Sequence, residues 1–156
     1  MDYEKLRESY KPQTIEWLFV AESPPPKEGT TSTRHFYRTG VGEGDRLFTN
    51  TMKALYPEAK DFSEGGLEKE KDRWLKRFQS DGCYMIEALE TSLPHQTKPS
   101  ERVERIKEAI PGIIERVKKL AGGNTKIILI KSNPFKVLAE PLRDAGFNVL
   151  NQEVVN

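Results

Sequence analysis

Residues 15–26, IEWLFVAESPPP, carry the clearest indication of the fold class of this chain. Residues 15–21 form a nearly continuous apolar run rich in aromatic and β-branched side chains, and Glu22, Ser23 and three prolines end it. A short run of this kind, bounded by residues that break regular structure, is typical of a strand buried on both faces. Similar runs occupy residues 83–89 (CYMIEAL), 126–130 (KIILI) and 147–150 (FNVL), so we expect four strands.

Amphipathic segments separate these strands. Apolar residues three or four apart predict helices over residues 45–56, 67–78, 100–120 and 133–145. Strands that alternate with helices form a parallel sheet with right-handed crossovers. The predicted fold class is therefore α/β, a three-layer α/β/α sandwich with a central four-stranded parallel sheet, in a single domain over residues 1–156.

Local signals refine these helices. Asp45 and Ser100 are the expected N-caps of the first and third helices, and Gly146 occupies the position of a helix-terminating glycine. Pro111-Gly112 predicts a kink in the third helix or its division into two. We expect the five Lys and Arg residues of the second helix to face outward, and residues 1–14 to be a short lead-in with at most one helical turn.

Composition excludes several classes of protein. The 156 residues include 25 Lys and Arg against 24 Asp and Glu, a formal net charge of +1. This balance argues against a strongly basic nucleic-acid coat protein but allows a local basic groove. Cys83 is the only cysteine, which excludes a disulfide framework or an iron–sulfur cluster held within this chain. No apolar run approaches the ~20 residues of a membrane span, and no residue spacing indicates a metal site. We expect a cytoplasmic protein with no membrane contact and no cofactor.

Glu22 is the first candidate catalytic residue. Ligands of open parallel sheets bind outside the carboxyl ends of the strands, which here are residues 22–44, 90–99 and 131–134. A carboxylate one residue beyond a buried strand and next to rigid prolines could activate a water or stabilise a developing cation. The alternatives are a solvated loop glutamate and an acceptor for free backbone N–H groups.

Aromatic and basic side chains follow in the loop after the first strand. Phe36 and Tyr37 could stack on a base, or they could anchor a long loop to the core. Arg34 and Arg38, with two further basic residues nearby, could bind phosphates, or they could form a solvated face.

The later strands carry further candidates. Lys131, Ser132 and Asn133 lie between a strand and a helix, where they could bind an anion or simply cap the helix. Glu87 lies in an apolar strand, and a carboxylate buried there needs a partner. The alternative to a functional role for Glu87 is an ion pair with an expected partner such as Lys131 on the neighbouring strand.

Ala21-Glu22-Ser23-Pro24-Pro25 after a strand resembles the first motif of the uracil-DNA glycosylase superfamily, one branch of which has Gly-Glu-Ala-Pro-Gly. Residues 34–38 (RHFYR) are similar to the following Arg-Pro-Phe-Val-Gly motif, and the order of elements agrees over roughly residues 15–150. The resemblance implies that Glu22 lies beside the attacking water, with Ser23 and Pro24 near the substrate. It also implies that Phe36 stacks on a flipped base, and that Glu87 reads the base edge where the family has asparagine.

Three departures from the family limit this resemblance. Glu87 would repel the acceptor-rich edge of uracil, which asparagine can donate to. The cysteines that hold an iron–sulfur cluster in that branch are absent. The sequence ends at Asn156, where we expect the duplex-inserting His-Pro-Ser segment to begin.

The resemblance implies a DNA or nucleobase N-glycosidic bond hydrolase of undetermined base, with DNA or a nucleotide as partner. Two alternatives stay open. The same fold could be a non-catalytic module that binds a nucleotide or nucleic acid, or the chain could be a small-molecule hydrolase acting on nucleosides or phosphorylated metabolites.

Overall fold

The computed structural model describes residues 3–25, 35–40, 45–63 and 65–154. Four strands and six α-helices are found in this part of the chain, together with one short 3₁₀ helix. In chain order they are α1 (Tyr3–Ser9), β1 (Trp17–Ala21), α2 (Arg46–Leu55), the 3₁₀ helix (Pro57–Asp61), α3 (Gly66–Lys69), α4 (Lys71–Ser80), β2 (Cys83–Glu87), α5 (Pro99–Leu120), β3 (Lys126–Leu129), α6 (Ser132–Asp144) and β4 (Asn148–Val149).

The four strands form one parallel sheet in the order β2-β1-β3-β4. β1 lies in the middle, and its Val20 is in register with Ile86 of β2 and with Leu129 of β3. Phe19 packs against Phe78 of α4, and α6 contacts β3, β4 and α5. The α/β class and the four-stranded parallel sheet are confirmed, and the arrangement is consistent with three layers.

Several helix boundaries differ from the predictions. α5 is one helix that continues through Pro111, and it begins at Pro99 after Lys98 rather than at a Ser100 cap. Proline is favoured at the first helical position, where its missing N–H costs nothing. At Pro111 a backbone hydrogen bond is lost, but Ile106 and Ile113 on either side are both buried. We infer that their shared packing keeps the helix continuous.

Two other segments also differ from the predicted secondary structure. The predicted helix over residues 67–78 is two helices, α3 and α4, which divide at Glu70. The lead-in contains the seven-residue helix α1, longer than the single turn that we expected. No helix within the described ranges is both long and apolar enough to cross a membrane.

Lys71 corrects the expectation that every basic residue of the second predicted helix faces outward. Its side chain is buried, and its Nζ donates to the His35 carbonyl oxygen at 2.7 Å and to the carboxylate of Asp45. Burial lowers the pKa of Lys71, and the charge of Asp45 opposes that shift. Asp45 also accepts from the Phe48 backbone N–H, as the predicted N-cap of α2. The pair therefore joins the start of α2 to the start of α4.

Tyr37 covers the outer edge of the sheet. The side chain is fully buried, and its hydroxyl accepts a hydrogen bond of 2.8 Å from the backbone N–H of Met85 in β2. An edge strand presents unpaired N–H groups that can template association with another chain. Tyr37 satisfies one of them from within the molecule.

We expect the stability of the fold to fall at alkaline pH. Burial raises the pKa of the Cys83 thiol to about 12 and that of the Tyr84 hydroxyl to about 12, from ordinary values of 9.0 and 10.0. Above those ordinary values the folded state holds protons that the unfolded state has released, so the free energy of unfolding decreases as the pH rises. Each group adds about 1.4 kcal/mol per pH unit to this slope.

Urea unfolding over a series of alkaline pH values measures that slope. Cys83→Ala and Tyr84→Phe should each reduce it by about one proton. A slope that neither substitution changes would contradict this assignment.

Asp45→Asn tests the buried ion pair. The amide keeps the shape of the N-cap but leaves the Lys71 charge without its counterion, so we expect a loss of about 3 kcal/mol in the free energy of unfolding. Glu115→Gln, at an exposed pair with Lys118, should change it by less than about 0.5 kcal/mol. Adding Lys71→Met to Asp45→Asn should recover part of the loss, because both buried charges are then gone. If Asp45→Asn lowers the free energy of unfolding as little as the control does, the buried pair does not stabilise the fold.

Candidate functional site

The sheet order creates a crevice beside the carboxyl end of β1. The chain passes from β1 to β2 on one side, and it later returns to β3 on the other side. Loops that leave such neighbouring strands diverge, and open α/β sheets bind ligands in the resulting crevice. Glu22 is the first residue after β1, and residues 131–133 follow β3.

The carboxylate of Glu22 is held by two side chains from different helices. Asn133 of α6 donates from Nδ2 to Oε1 at 2.7 Å, and Arg102 of α5 donates from Nη1 to Oε2 at 2.9 Å. The side chains of Glu22 and Arg102 are 18% and 19% exposed. Each carboxylate oxygen has a second lone-pair site, so Glu22 can still accept a hydrogen bond from a water or a ligand. Of the interpretations above, the solvated loop glutamate does not fit these contacts.

Arg102 is itself fixed by the loop after β2. Its Nε donates to the Thr97 carbonyl oxygen at 3.1 Å, and its Nη2 donates to that of Pro94 at 3.0 Å. The Ser92 hydroxyl donates to the Pro25 carbonyl oxygen at 2.9 Å, which ties the loop after β2 to the loop after β1. Two loops and two helices therefore meet around one carboxylate whose position is set before any ligand arrives.

Lys131 has a backbone conformation that residues other than glycine rarely adopt. Its φ is 71° and its ψ is 171°, and within the described ranges no other non-glycine residue has a positive φ. This region of backbone space costs a side-chain-bearing residue about 1–3 kcal/mol and is commonest at functional sites. No side-chain hydrogen bond caps α6, so the simple capping interpretation of Ser132 and Asn133 has no contact to support it.

Glu87 has partners other than the one that we expected. Arg7 donates from Nη1 to its Oε2 at 2.8 Å, and Nε2 of His35 lies 3.1 Å from its Oε1, close enough for an ion pair but outside hydrogen-bond geometry. The expected pairing with Lys131 is wrong because β1 lies between β2 and β3.

Glu22 and Glu87 lie on opposite faces of the sheet. Glu87 is in register with Ala21, the residue before Glu22 and the last residue of β1. Successive side chains in a ladder alternate between faces. Recognition of a base edge by Glu87 stays a prediction. The arrangement of the strands does not bring Glu87 close to Glu22.

Phe36 and Tyr37 lie in the hydrophobic core. Phe36 is 2% exposed, and its ring lies 5.3 Å from that of Phe78 and 6.1 Å from that of Phe48. These contacts agree with the interpretation in which the two residues anchor the loop. Base stacking by Phe36 stays a prediction, and it would require the ring to leave this cluster.

The remaining predicted residues lie near the carboxyl edge or outside the described part of the chain. Pro24 is buried and Ser23 is half-buried, directly after Glu22. Arg38 is half-buried, and Arg34 lies outside the described residues. No group of three or more His, Cys, Asp and Glu residues within the described ranges could hold a metal ion.

Arg102 is the site residue that the sequence analysis missed. Three donors of its guanidinium bind acceptors around the crevice. The available signal was its place in the first turn of a helix that starts from the carboxyl edge of the sheet. On the helical pattern alone Arg102 belongs to the polar face, as most surface arginines do.

No protein-family model, curated protein or solved structure matches this chain. The resemblance to uracil-DNA glycosylases therefore stays a prediction, and the function is argued from the geometry around Glu22.

Lys131→Gly tests whether the backbone after β3 is strained. Glycine adopts a positive φ without steric cost, although its unfolded state gains entropy, so we expect a net stabilisation of about 1 kcal/mol. Lys136→Gly, at an exposed position inside α6, should instead destabilise by about 1 kcal/mol. Urea unfolding compares the two, and equal losses in both variants would show that Lys131 is not strained.

Proposed function

We propose that this chain hydrolyses an N-glycosidic bond of a nucleic acid or nucleoside, on a uracil-DNA glycosylase-like fold, with Glu22 as the catalytic residue. The observation that carries the proposal is the position of the Glu22 carboxylate in the crevice beside β1, held by Asn133 and Arg102. The resemblance of residues 21–25 to the first glycosylase motif supports it.

The reaction that we propose needs one well-placed carboxylate. The bond between the anomeric carbon and the base nitrogen breaks, and its electron pair leaves with the base. The sugar then carries positive charge that a nearby carboxylate stabilises. A water adds to the anomeric carbon and gives up a proton, for which Glu22 is the acceptor.

Asn133 has the role of a positioning residue in this proposal. Its Nδ2 donates to Glu22, which turns the Asn133 carbonyl oxygen away from that contact and leaves it able to accept from the attacking water. Ser23 and Pro24, which follow Glu22, would lie against the sugar.

A second function is favoured by the pairing of Glu22 with Arg102. In this function Glu22 holds the Arg102 guanidinium, 2.9 Å away, at the crevice and takes part in no reaction. The same crevice would then bind a nucleotide or nucleic acid without cleaving it. The two functions are distinguished by the release of free base, which only the hydrolase would produce.

Base release from single- and double-stranded oligonucleotides with several modified bases, and from nucleosides, tests both functions. Glu22→Gln and Glu22→Ala should lower the rate at least about 100-fold, the usual contribution of a general base. Glu104→Gln, an exposed acid on α5, is the matched control and should keep full activity. Circular dichroism and urea unfolding of each variant show whether the fold is intact.

Three results decide between these functions. Activity that is lost in both Glu22 variants but kept in the control supports the hydrolase. Binding of a substrate by the wild-type chain with no base release supports the module. Base release that is unchanged in folded Glu22→Ala would overturn the catalytic role of Glu22.

A further inference from the structure

An open apolar groove of about 630 Å³ lies between α2 and the β3–β4 half of the sheet. Its apolar walls come from β1, α2, β3 and the residue after β4, namely Phe19, Leu47, Leu55, Ile128, Ile130 and Leu150. Pockets for small molecules are usually 300–1,000 Å³ in volume and mostly apolar, with a few polar groups that orient the ligand. This groove matches that description in both volume and lining.

Both charged side chains that line the groove, within the described part of the chain, are basic. Arg46 at the start of α2 and Lys131 at the start of α6 are both lining residues, and no carboxylate among the described residues joins them. Neither cation forms an ion pair or a side-chain hydrogen bond with another described residue. The paired cations Lys71 and Arg102, by contrast, are both committed to protein carboxylates. Charge complementarity therefore favours an anionic group on whatever fills the groove.

The groove exposes too little apolar surface to bind a protein partner. Its apolar side chains are mostly recessed, since Phe19 is 4% and Ile130 is 8% exposed. Within the described ranges, the exposed large hydrophobic residues are Leu150 and Val154. Protein interfaces need about 800 Å² on each partner, and a broad apolar patch of that size would expose more such residues.

We propose that this groove binds a free small amphipathic anion, with an alkyl chain along the apolar walls and a single anionic group between Arg46 and Lys131. The ten residues of α2 from Arg46 to Leu55 rise by about 14 Å, which sets the length of chain that the groove accommodates. The Ser132 hydroxyl, also a lining residue, offers the anionic group a hydrogen bond. Neither Glu22 nor Arg102 lines the groove, so its ligand is independent of the hydrolysis proposed above.

Calorimetric titration of the full chain with decanoate tests the proposal, with decyltrimethylammonium as a probe of the same chain length and opposite charge. We expect decanoate to bind with one-to-one stoichiometry and the cationic probe to bind at least about tenfold more weakly. Arg46→Gln should weaken decanoate binding about tenfold, the usual effect of removing one charge-assisted contact. Lys53→Gln, a lysine of α2 that does not line the groove, should leave the affinity unchanged.

Leu150→Glu tests the apolar wall at a position that is 38% exposed and so should tolerate a charge. It should abolish decanoate binding while urea unfolding shows an intact fold. Equal affinity for the two probes, or an equal effect of Arg46→Gln and Lys53→Gln, would overturn the proposal. So would a dimer at working concentration that Leu150→Glu dissociates. Binding to anionic phospholipid vesicles with no affinity for free decanoate would also overturn it, because the occupant would then be a membrane lipid.

Discussion

The pairing of β1 with a parallel strand on each edge fixes the positions of the helices and loops around it. β2 and β3 flank β1 in matching register, so the connections from the three strands diverge at their carboxyl ends. Glu22 emerges at that point, and helices that start from the same edge supply Arg102 and Asn133. The crevice and the carboxylate in it are consequences of strand order rather than of any one loop.

Buried charges position the segment that precedes α2. Lys71 holds both the His35 carbonyl oxygen and Asp45, while the His35 ring approaches Glu87 and stacks on Tyr3. A buried charge is strongly destabilising when its partner is lost, so such pairs tolerate few alternative arrangements. We infer that they specify where His35 and Asp45 lie against α4 and β2, which in turn places α2 beside the groove.

Most of the secondary structure could be predicted from local patterns, because the signals are contained in a few neighbouring residues. The four strands, the Asp45 cap and the glycine after α6 are examples. The predictions failed where distant packing outweighs a local preference. Pro111 does not divide α5, and apolar residues on both sides of it are buried, whereas the alternative of a kink stays a prediction. Lys71 points inward because a buried carboxylate and a carbonyl oxygen are available to it.

The α/β class, the four strands and the location of Glu22 one residue beyond a buried strand could be read from the sequence, because each follows from hydrophobic periodicity and from residues that break regular structure. Which side chains meet depends on the assembled fold. Strand order separates Glu87 from Lys131, and the contacts of Glu22 with Arg102 and Asn133 join residues 80 and 111 positions apart. Such pairings depend on how the elements assemble, and no pattern within a single segment records that assembly.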